Sequence, residues 1–223
     1  RRGDLEKTLK FGKRIYLGDP INIARIFSGM EVDELILIDI DQHIEGREIN
    51  FGMIERVASQ CFMPVAYGGG IRSVSQIRRL NLIGIEKFIF KSFLDCDLLL
   101  KDTANQFGRQ AIIGCIDYDS QKIGSVNVVN EVLSKRKDLV GEFLIQAIDR
   151  DGIKSGLDLK IAQMIDKTIQ NPLIFAGGLS CRQEYDFIRN RCRSSVASGA
   201  YFSLVGRYNA CMINYPNEWL TDA

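Results

Sequence analysis

The stretch Pro64-Val65-Ala66-Tyr67-Gly68-Gly69-Gly70-Ile71-Arg72 decides the fold, because it has a counterpart further along the chain. Pro172-Leu173-Ile174-Phe175-Ala176-Gly177-Gly178-Leu179-Ser180 follows at an offset of 108 residues, from position 64 to position 172. Each stretch is a short apolar run that ends in adjacent glycines. Two further pairs have the same offset of 108: Glu34 with Glu142, and Asp41 with Asp149. Landmarks that share one spacing predict a chain built from two similar halves.

Apolar runs alternate with stretches of helical periodicity, which is typical of β/α units. Seven runs predict buried parallel strands: residues 34–40, 63–67, 87–90, 111–116, 142–148, 173–175 and 195–197. Apolar residues at spacings of three and four predict helices over residues 52–58 and 75–80. The units predict an α/β fold, a (β/α)8 TIM barrel of two similar half-barrels, with its site at the carboxyl ends of the strands. An open, doubly wound sheet is the alternative.

The number of predicted strands is one short of a closed barrel. If residues 34–40 form the second strand, the first strand is missing from the given chain, and we expect the true polypeptide to begin earlier. A length of 223 residues otherwise suits one barrel. Because no low-complexity tract offers a linker, we expect a single domain over residues 1–223.

The composition is that of an ordinary globular enzyme, with 46% hydrophobic residues, 26% charged residues and a net charge of +1. This charge gives no reason to expect nucleic acid or a membrane surface as a partner, and no apolar run approaches the roughly 20 residues that span a bilayer. Six cysteines without C-x-x-C spacing predict reduced, mostly buried thiols in a cytoplasmic protein. With one histidine, His43, and no cysteine cluster, we expect neither a metal site nor a cofactor.

The glycine pairs stand just after predicted strands, where glycine lets backbone N–H groups approach an anion closely. The repeat therefore predicts two phosphate pockets and a substrate that carries a phosphate at each end. The residues expected in these pockets are Gly69, Gly70, Lys91 and Ser92 in the first half, and Gly177, Gly178, Gly199 and Ala200 in the second. Tight turns without a ligand are the alternative.

Acidic residues also follow the predicted strands. Asp117 ends the run 111–116, and a carboxylate at that rim can act as a general acid or base; capping a loop is its alternative role. Asp39 and Asp151 follow two other strands, where carboxylates bind substrate hydroxyls or organise a turn. Gly152 permits the positive φ that such a turn often needs.

Charged residues begin three alternate strands: Glu34, Lys87 and Glu142. The starts of alternate strands converge at the bottom of a barrel, so these side chains predict a polar ring around its axis. Ordinary surface salt bridges are the alternative.

Several segments together resemble one enzyme family. They are Lys7-Thr8-Leu9-Lys10-Phe11, Asp33-Glu34-Leu35, Gly68-Gly69-Gly70-Ile71-Arg72-Ser73, Ile116-Asp117 and Asp149-Arg150-Asp151-Gly152-Ile153-Lys154-Ser155-Gly156. In this order, along nearly the whole chain, they resemble the cyclase subunit family of imidazole glycerol phosphate synthase, the HisF family. The related isomerase of histidine biosynthesis shares the glycine and Asp-Arg-Asp-Gly motifs and is a weaker alternative.

The resemblance implies an activity and a partner. A glutaminase subunit releases ammonia, which passes through the barrel and attacks a bis-phosphorylated ribulosyl formimino aminoimidazole carboxamide nucleotide, giving imidazole glycerol phosphate. Asp117 matches one of two catalytic aspartates, and Lys7 matches a loop lysine that closes over the substrate. The ammonia gate of the family matches Glu34, Lys87 and Glu142.

Some positions depart from the family pattern and imply a second possibility. Lys91 stands where asparagine is usual, and Ala200 stands where serine is usual. Residues 16–22 and 213–216 resemble a branch associated with bacterial surface-polysaccharide and lipopolysaccharide loci. That resemblance implies a subunit that does not cyclise its substrate but relays ammonia from a glutaminase to a sugar amidotransferase.

Overall fold

The computed structural model describes residues 3–40, 46–91, 97–165, 169–206 and 208–216. Its first elements are β1 (Leu5–Thr8) and β2 (Arg14–Gly18), which form a two-stranded sheet. All seven predicted strands are present as β3 (Leu35–Ile38), β4 (Val65–Gly68), β5 (Lys87–Lys91), β6 (Ile112–Tyr118), β7 (Glu142–Ala147), β8 (Leu173–Ala176) and β9 (Ser195–Ala197). A short antiparallel pair follows, formed by β10 (Leu204–Val205) and β11 (Ala210–Cys211).

The seven strands form one sheet in the order in which they occur along the chain, from β3 to β9. An open, doubly wound sheet reverses its strand order at a switch point, and this sheet has no reversal, so that alternative is wrong. Strands in sequence order, joined by helices, are the β/α units of a TIM-barrel-type fold. The predicted fold class is therefore confirmed. No eighth parallel strand is found among the described residues.

Helices connect the strands, and polar residues mark several of their starts. They are α1 (Pro20–Gly29), α2 (Phe51–Ala58), α3 (Val74–Leu82), α4 (Asp97–Phe107), α5 (Ser125–Arg136), α6 (Leu159–Met164) and α7 (Arg182–Cys192). Asp19 caps α1 by accepting the backbone N–H of Asn22 at 2.8 Å, directly before a proline that suits the first helical turn. Ser73 caps α3 in the same way. The two helices predicted from periodicity, α2 and α3, are confirmed.

The internal repeat is visible in the strand register. In the first half Leu35 pairs with Val65 and Ile38 with Gly68. In the second half the partners are Phe143 with Leu173 and Gln146 with Ala176, and every one of these positions differs from its counterpart by 108. The offset found in the sequence is therefore a repeat of structure.

The chain divides into two compact units. The first comprises described residues of Arg1–Glu6, Tyr16–Phe88 and Phe202–Ala223, and the second comprises those of Lys7–Ile15 and Ile89–Tyr201. In the first unit, α3 buries Ile77 and Leu80, three positions apart on one helical face. In the second, α5 buries Val129 and Leu133, four positions apart, on the same principle. The expectation of a single domain stays a prediction.

Hydrogen bonds attach the segment after β9 to other residues of the first unit. The Tyr215 hydroxyl donates to the Asp33 carboxylate at 2.9 Å, and the Asn214 N–H donates to the Phe202 carbonyl at 2.8 Å. No helix in the described ranges is both long enough and apolar enough to cross a membrane.

The described cysteines are free thiols, but the expectation that most are buried is wrong. Only Cys115, inside β6, is buried. Three others, Cys61, Cys181 and Cys192, lie at or just beyond helix ends, where a side chain is only half covered.

Candidate active site

Asp117 lies near the carboxyl end of β6, as predicted, and both of its carboxylate oxygens have a partner. Oδ2 lies 2.5 Å from the ammonium of Lys91, the last residue of β5. Oδ1 accepts the thiol of Cys115 at 3.4 Å, because residues two apart in a strand face the same side. The Asp117 side chain is 16% exposed, whereas that of Lys91 is 59% exposed. A solvent-reachable carboxylate is therefore held in a defined orientation.

Burial, first of all, raises the pKa of the Cys115 thiol well above its usual value of 9.0. The negative charge of Asp117 and the hydrogen bond to it raise this pKa further, and the positive charge of Lys91 lowers it. Cys115 therefore stays protonated at neutral pH and donates to Asp117.

Lys91 has a second contact, with the loop between β1 and β2. Its ammonium lies 5.1 Å from the centre of the Phe11 ring, within the range of a cation–π interaction. Lys10 and Phe11 both have positive φ, at 50° and 57°, so the loop turns sharply here. The structure brings Lys91 to Asp117, and its service beside a phosphate stays a prediction.

The same loop is held by Asp151, which is buried. The Lys7 ammonium lies 2.7 Å and 2.9 Å from its two carboxylate oxygens, and Thr8 Oγ1 donates to Oδ2 at 2.9 Å. A weaker contact at 3.4 Å comes from Gln146. The Lys10 N–H donates to the Asp151 carbonyl at 2.8 Å. Asp151, expected to bind substrate hydroxyls or to organise a turn, thus anchors the loop in this structure.

Glycine at two positions allows the loop to come this close. A Cβ at Gly152, whose φ is +77°, would lie 2.1 Å from the Thr8 carbonyl oxygen. A Cβ at Gly199 would lie 3.2 Å from Cδ of Lys7. The Lys7 side chain therefore passes close to Gly199, which is one of the residues predicted to bind a phosphate.

The glycine turns of the two halves repeat one contact. A Cβ at Gly69 would lie 2.6 Å from the Asp39 carbonyl oxygen, and a Cβ at Gly177 would lie 2.3 Å from the Ala147 carbonyl oxygen. In the same way, a Cβ at Gly178 would lie 2.3 Å from the Gly156 carbonyl oxygen. Glycine is required at these positions by backbone packing and positive φ. That Gly69, Gly70, Gly177 and Gly178 bind phosphate stays a prediction.

Asp39 has a further neighbour in the first unit. Tyr67 on β4 is buried, and its pKa is raised above its usual value by burial and, secondarily, by the charge of Asp39. The tyrosine therefore stays neutral beside the carboxylate.

Of the three residues predicted to form a polar ring, two form an ion pair in the first unit. Lys87 Nζ lies 2.8 Å from Glu34 Oε2, and both side chains are largely covered. Glu34 and Lys87 therefore do not form a fully exposed surface salt bridge. Glu142 begins β7 in the second unit, and its place in the ring stays a prediction.

Sequence reasoning missed a network that shapes the neighbouring loops. Asp149 accepts the backbone N–H of Ser120 at 2.8 Å and its hydroxyl at 2.6 Å. Arg150 donates to Ser120 Oγ at 2.9 Å and to the Gly156 carbonyl at 3.1 Å. A lone serine in a loop carries no pattern from which this role could be inferred.

Asp41, His43 and Ser92 lie outside the described residues. Within the described ranges, no three His, Cys, Asp or Glu side chains are grouped so that they could hold a metal ion.

Parallel β/α units with acidic and basic side chains at the carboxyl ends of the strands place the chain in the class of TIM-barrel-type proteins. The profile of the family described as histidine biosynthesis protein matches residues 3–205, and the chain belongs to this family. The HisF resemblance is confirmed by its relatives. A Pseudomonas aeruginosa protein provisionally named imidazole glycerol phosphate synthase subunit hisF2 is 37% identical, covering 96% of this chain and 91% of that protein.

Two other relatives agree. A Vibrio vulnificus protein provisionally named imidazole glycerol phosphate synthase subunit hisF3 is 34% identical over 97% of this chain and 90% of its own length. The imidazole glycerol phosphate synthase subunit HisF of Lacticaseibacillus casei is 32% identical over 91% of this chain and 85% of its own length. The protein is therefore a HisF-like subunit.

Proposed function

We propose that this HisF-like subunit uses ammonia from a glutaminase partner to convert the bis-phosphorylated ribulosyl formimino nucleotide to imidazole glycerol phosphate. The observation that carries the proposal is the Asp117 carboxylate, which is held at the end of β6 by Lys91 and Cys115 and remains in reach of solvent. A positioned carboxylate of this kind suits general acid–base chemistry.

Asp117 serves as the base. When ammonia adds to a carbonyl carbon of the substrate, the carbon–oxygen π bond breaks, the nitrogen gives up a proton to the carboxylate, and the oxygen leaves as water. Cleavage and ring closure then give imidazole glycerol phosphate together with an aminoimidazole carboxamide ribotide. The backbone at Gly177-Gly178 and at Gly199-Ala200 holds one phosphate, and the backbone at Gly69-Gly70 holds the other. Lys7, which runs along Gly199, brings a positive charge to the second-half phosphate, while Asp151 keeps the lysine in place.

The test is turnover of the purified protein with an ammonium salt at alkaline pH. We expect consumption of the nucleotide, followed by its absorbance, and we expect Asp117→Asn to stop it. Asp119→Asn is the matched control, because Asp119 lies two positions further on, just after β6, and its carboxylate accepts the Gln121 N–H; its turnover should stay within about twofold of the wild-type value. Absence of turnover in the unmodified protein would contradict the cyclase proposal.

The partner is tested through the Glu34–Lys87 pair. With a glutaminase subunit and glutamine as nitrogen source, Lys87→Met should lower product formation, because the pair then no longer guides ammonia into the barrel. With an ammonium salt in place of glutamine, the same variant should match the unmodified protein. Equal losses with both nitrogen sources would contradict an ammonia gate.

A second function is favoured by one observation: the Asp117 carboxylate is occupied by a lysine at a position where the family usually has asparagine. The relatives with the designations hisF2 and hisF3 are also more similar, at 37% and 34%, than HisF of Lacticaseibacillus casei at 32%. In this second function the protein relays ammonia to a sugar amidotransferase without cyclising anything. Co-purification with both a glutaminase and such an amidotransferase, and no nucleotide turnover, would support it.

A further inference from the structure

Lys91 is placed to act on Asp117 rather than on a substrate phosphate. It ends β5, so its backbone is fixed by the sheet, and its ammonium lies 2.5 Å from Asp117 Oδ2. The other oxygen of the carboxylate accepts the Cys115 thiol. Rotation of the Asp117 side chain would break both contacts.

The loop before β2 completes the arrangement. Phe11 presents its ring to the same ammonium at 5.1 Å, so Lys91 lies between an aromatic face and a carboxylate. Both partners favour a positive charge at this position. Through Lys7 and Asp151 the same loop is also anchored next to β7. The loop and the carboxylate therefore share one charged contact.

We propose that Lys91 is the positioning residue of Asp117, and that Phe11 holds the lysine in place so that the carboxylate is set together with the segment Lys7–Ile15, which contains the loop between β1 and β2. The proposal rests on the proposed function for its catalytic consequence. Its structural part, the Lys91–Asp117 contact and its dependence on Phe11, stands without that function.

The positioning role and the phosphate-binding role give different kinetics. If Lys91 orients Asp117, Lys91→Met lowers kcat by roughly tenfold or more with KM nearly unchanged, because only an interaction of the reacting state is lost. If Lys91 binds phosphate, the same variant raises KM instead, and the proposal is overturned. Lys91→Arg keeps a charge that reaches Asp117, so it should restore most of the lost kcat.

A chemical experiment tests the contact without any turnover. Brief acetylation of the native protein with acetic anhydride, read peptide by peptide by mass spectrometry, reports how accessible each lysine amine is. In Asp117→Asn we expect Lys91 to be acetylated roughly two- to fivefold faster than in the unmodified protein, as for the loss of one partly exposed ion pair. Phe11→Leu, which keeps an apolar side chain but removes the aromatic face, should give a smaller increase in the same direction.

Lys135 provides the internal reference. It pairs with Glu131 on α5, and both side chains are well exposed, so its acetylation should not change in either variant. An unchanged Lys91 rate in Asp117→Asn would overturn the positioning proposal. If Lys91 is acetylated faster in Asp117→Asn but the unmodified protein turns over no nucleotide, the cyclase function is contradicted and the Lys91–Asp117 contact is still supported.

Discussion

Lys7 and Asp151 are 144 positions apart in the chain, yet the Lys7 ammonium lies within 2.9 Å of both carboxylate oxygens of Asp151. The side chains are 16% and 7% exposed, so the charges are largely shielded from water. Thr8 adds a third hydrogen bond to the same carboxylate. This cluster anchors the segment that also presents Phe11 to Lys91.

Removal of the Lys7 charge should destabilise the protein. In Lys7→Met the Asp151 carboxylate stays buried with its main partner gone, so the free energy of unfolding should fall by about 1–3 kcal/mol, measured by urea denaturation. Lys135→Met is the matched control, because the Lys135–Glu131 pair is 60% and 62% exposed and should change stability by less than about 0.5 kcal/mol. Equal losses in the two variants would show that the Lys7 pair is no stronger than a surface pair.

Alanine at Gly177 should cost much more than alanine at Gly124. Both residues have positive φ, at +93° and +86°, so both variants incur a backbone cost of about 1–2 kcal/mol. Only at Gly177 would the new Cβ overlap a backbone atom, the Ala147 carbonyl oxygen at 2.3 Å, while Gly124 has nothing within 4 Å. Gly177→Ala should therefore lose about 1–3 kcal/mol more than Gly124→Ala in denaturant unfolding. A similar loss at both sites would contradict the close approach.

The repeat could be predicted from sequence because glycine and apolar runs are constrained residue by residue. Gly69 and Gly177 each lie against a neighbouring carbonyl that leaves no room for a Cβ. Both positions therefore require glycine, and the offset between them is visible in the sequence. The strands could also be predicted, because each is a short apolar run between helical stretches. By contrast, β10 and β11 have two residues each, too few to show any periodicity.

The contacts of the candidate site could be predicted only in part. Asp117 and Asp151 were placed at strand ends, since position along a strand fixes which edge of the sheet a residue reaches. Their partners were not found, because Lys7 joins Asp151 across 144 positions and the pairing depends on the path of a loop without periodicity. The position of Lys91 in the repeat predicts a place beside a phosphate. Its contact with Asp117 depends on the direction of its side chain, which the sequence does not give.

Ser120→Ala should raise the pKa of Asp149. Burial alone would raise this pKa above its usual value of 3.8, but the hydrogen bonds from the Ser120 hydroxyl and N–H, together with the Asp149 N–H and the charge of Arg150, outweigh burial and hold it lower. The measurement is the titration of the Asp149 carboxyl carbon by NMR. Ser125→Ala is the control, since the Ser125 hydroxyl donates to the Asp119 and Lys122 carbonyls and not to Asp149. An Asp149 pKa that does not move in Ser120→Ala would contradict the prediction.

The sign of the linked stability change follows from the direction of this pKa. Because the folded-state pKa of Asp149 lies below the unfolded value of about 3.8, the group adds stability above pH 3.8, and this is lost as pH falls through the folded-state pKa. The difference in unfolding free energy between the unmodified protein and Ser120→Ala should therefore be largest at neutral pH and shrink in acid.

Cys115 should report on the charges around Asp117. Its pKa is raised chiefly by burial, then by the charge of Asp117, and is lowered by Lys91, so Asp117→Asn should lower this pKa and Lys91→Met should raise it. Because the folded thiol keeps its proton above the usual 9.0, its stabilising contribution is complete below that pH and is lost as pH rises further. Alkylation of the Cys115 peptide by iodoacetamide, followed by mass spectrometry between about pH 8 and 11, measures the shift. Opposite shifts in the two variants would support the charged contact, whereas shifts in the same direction would contradict it.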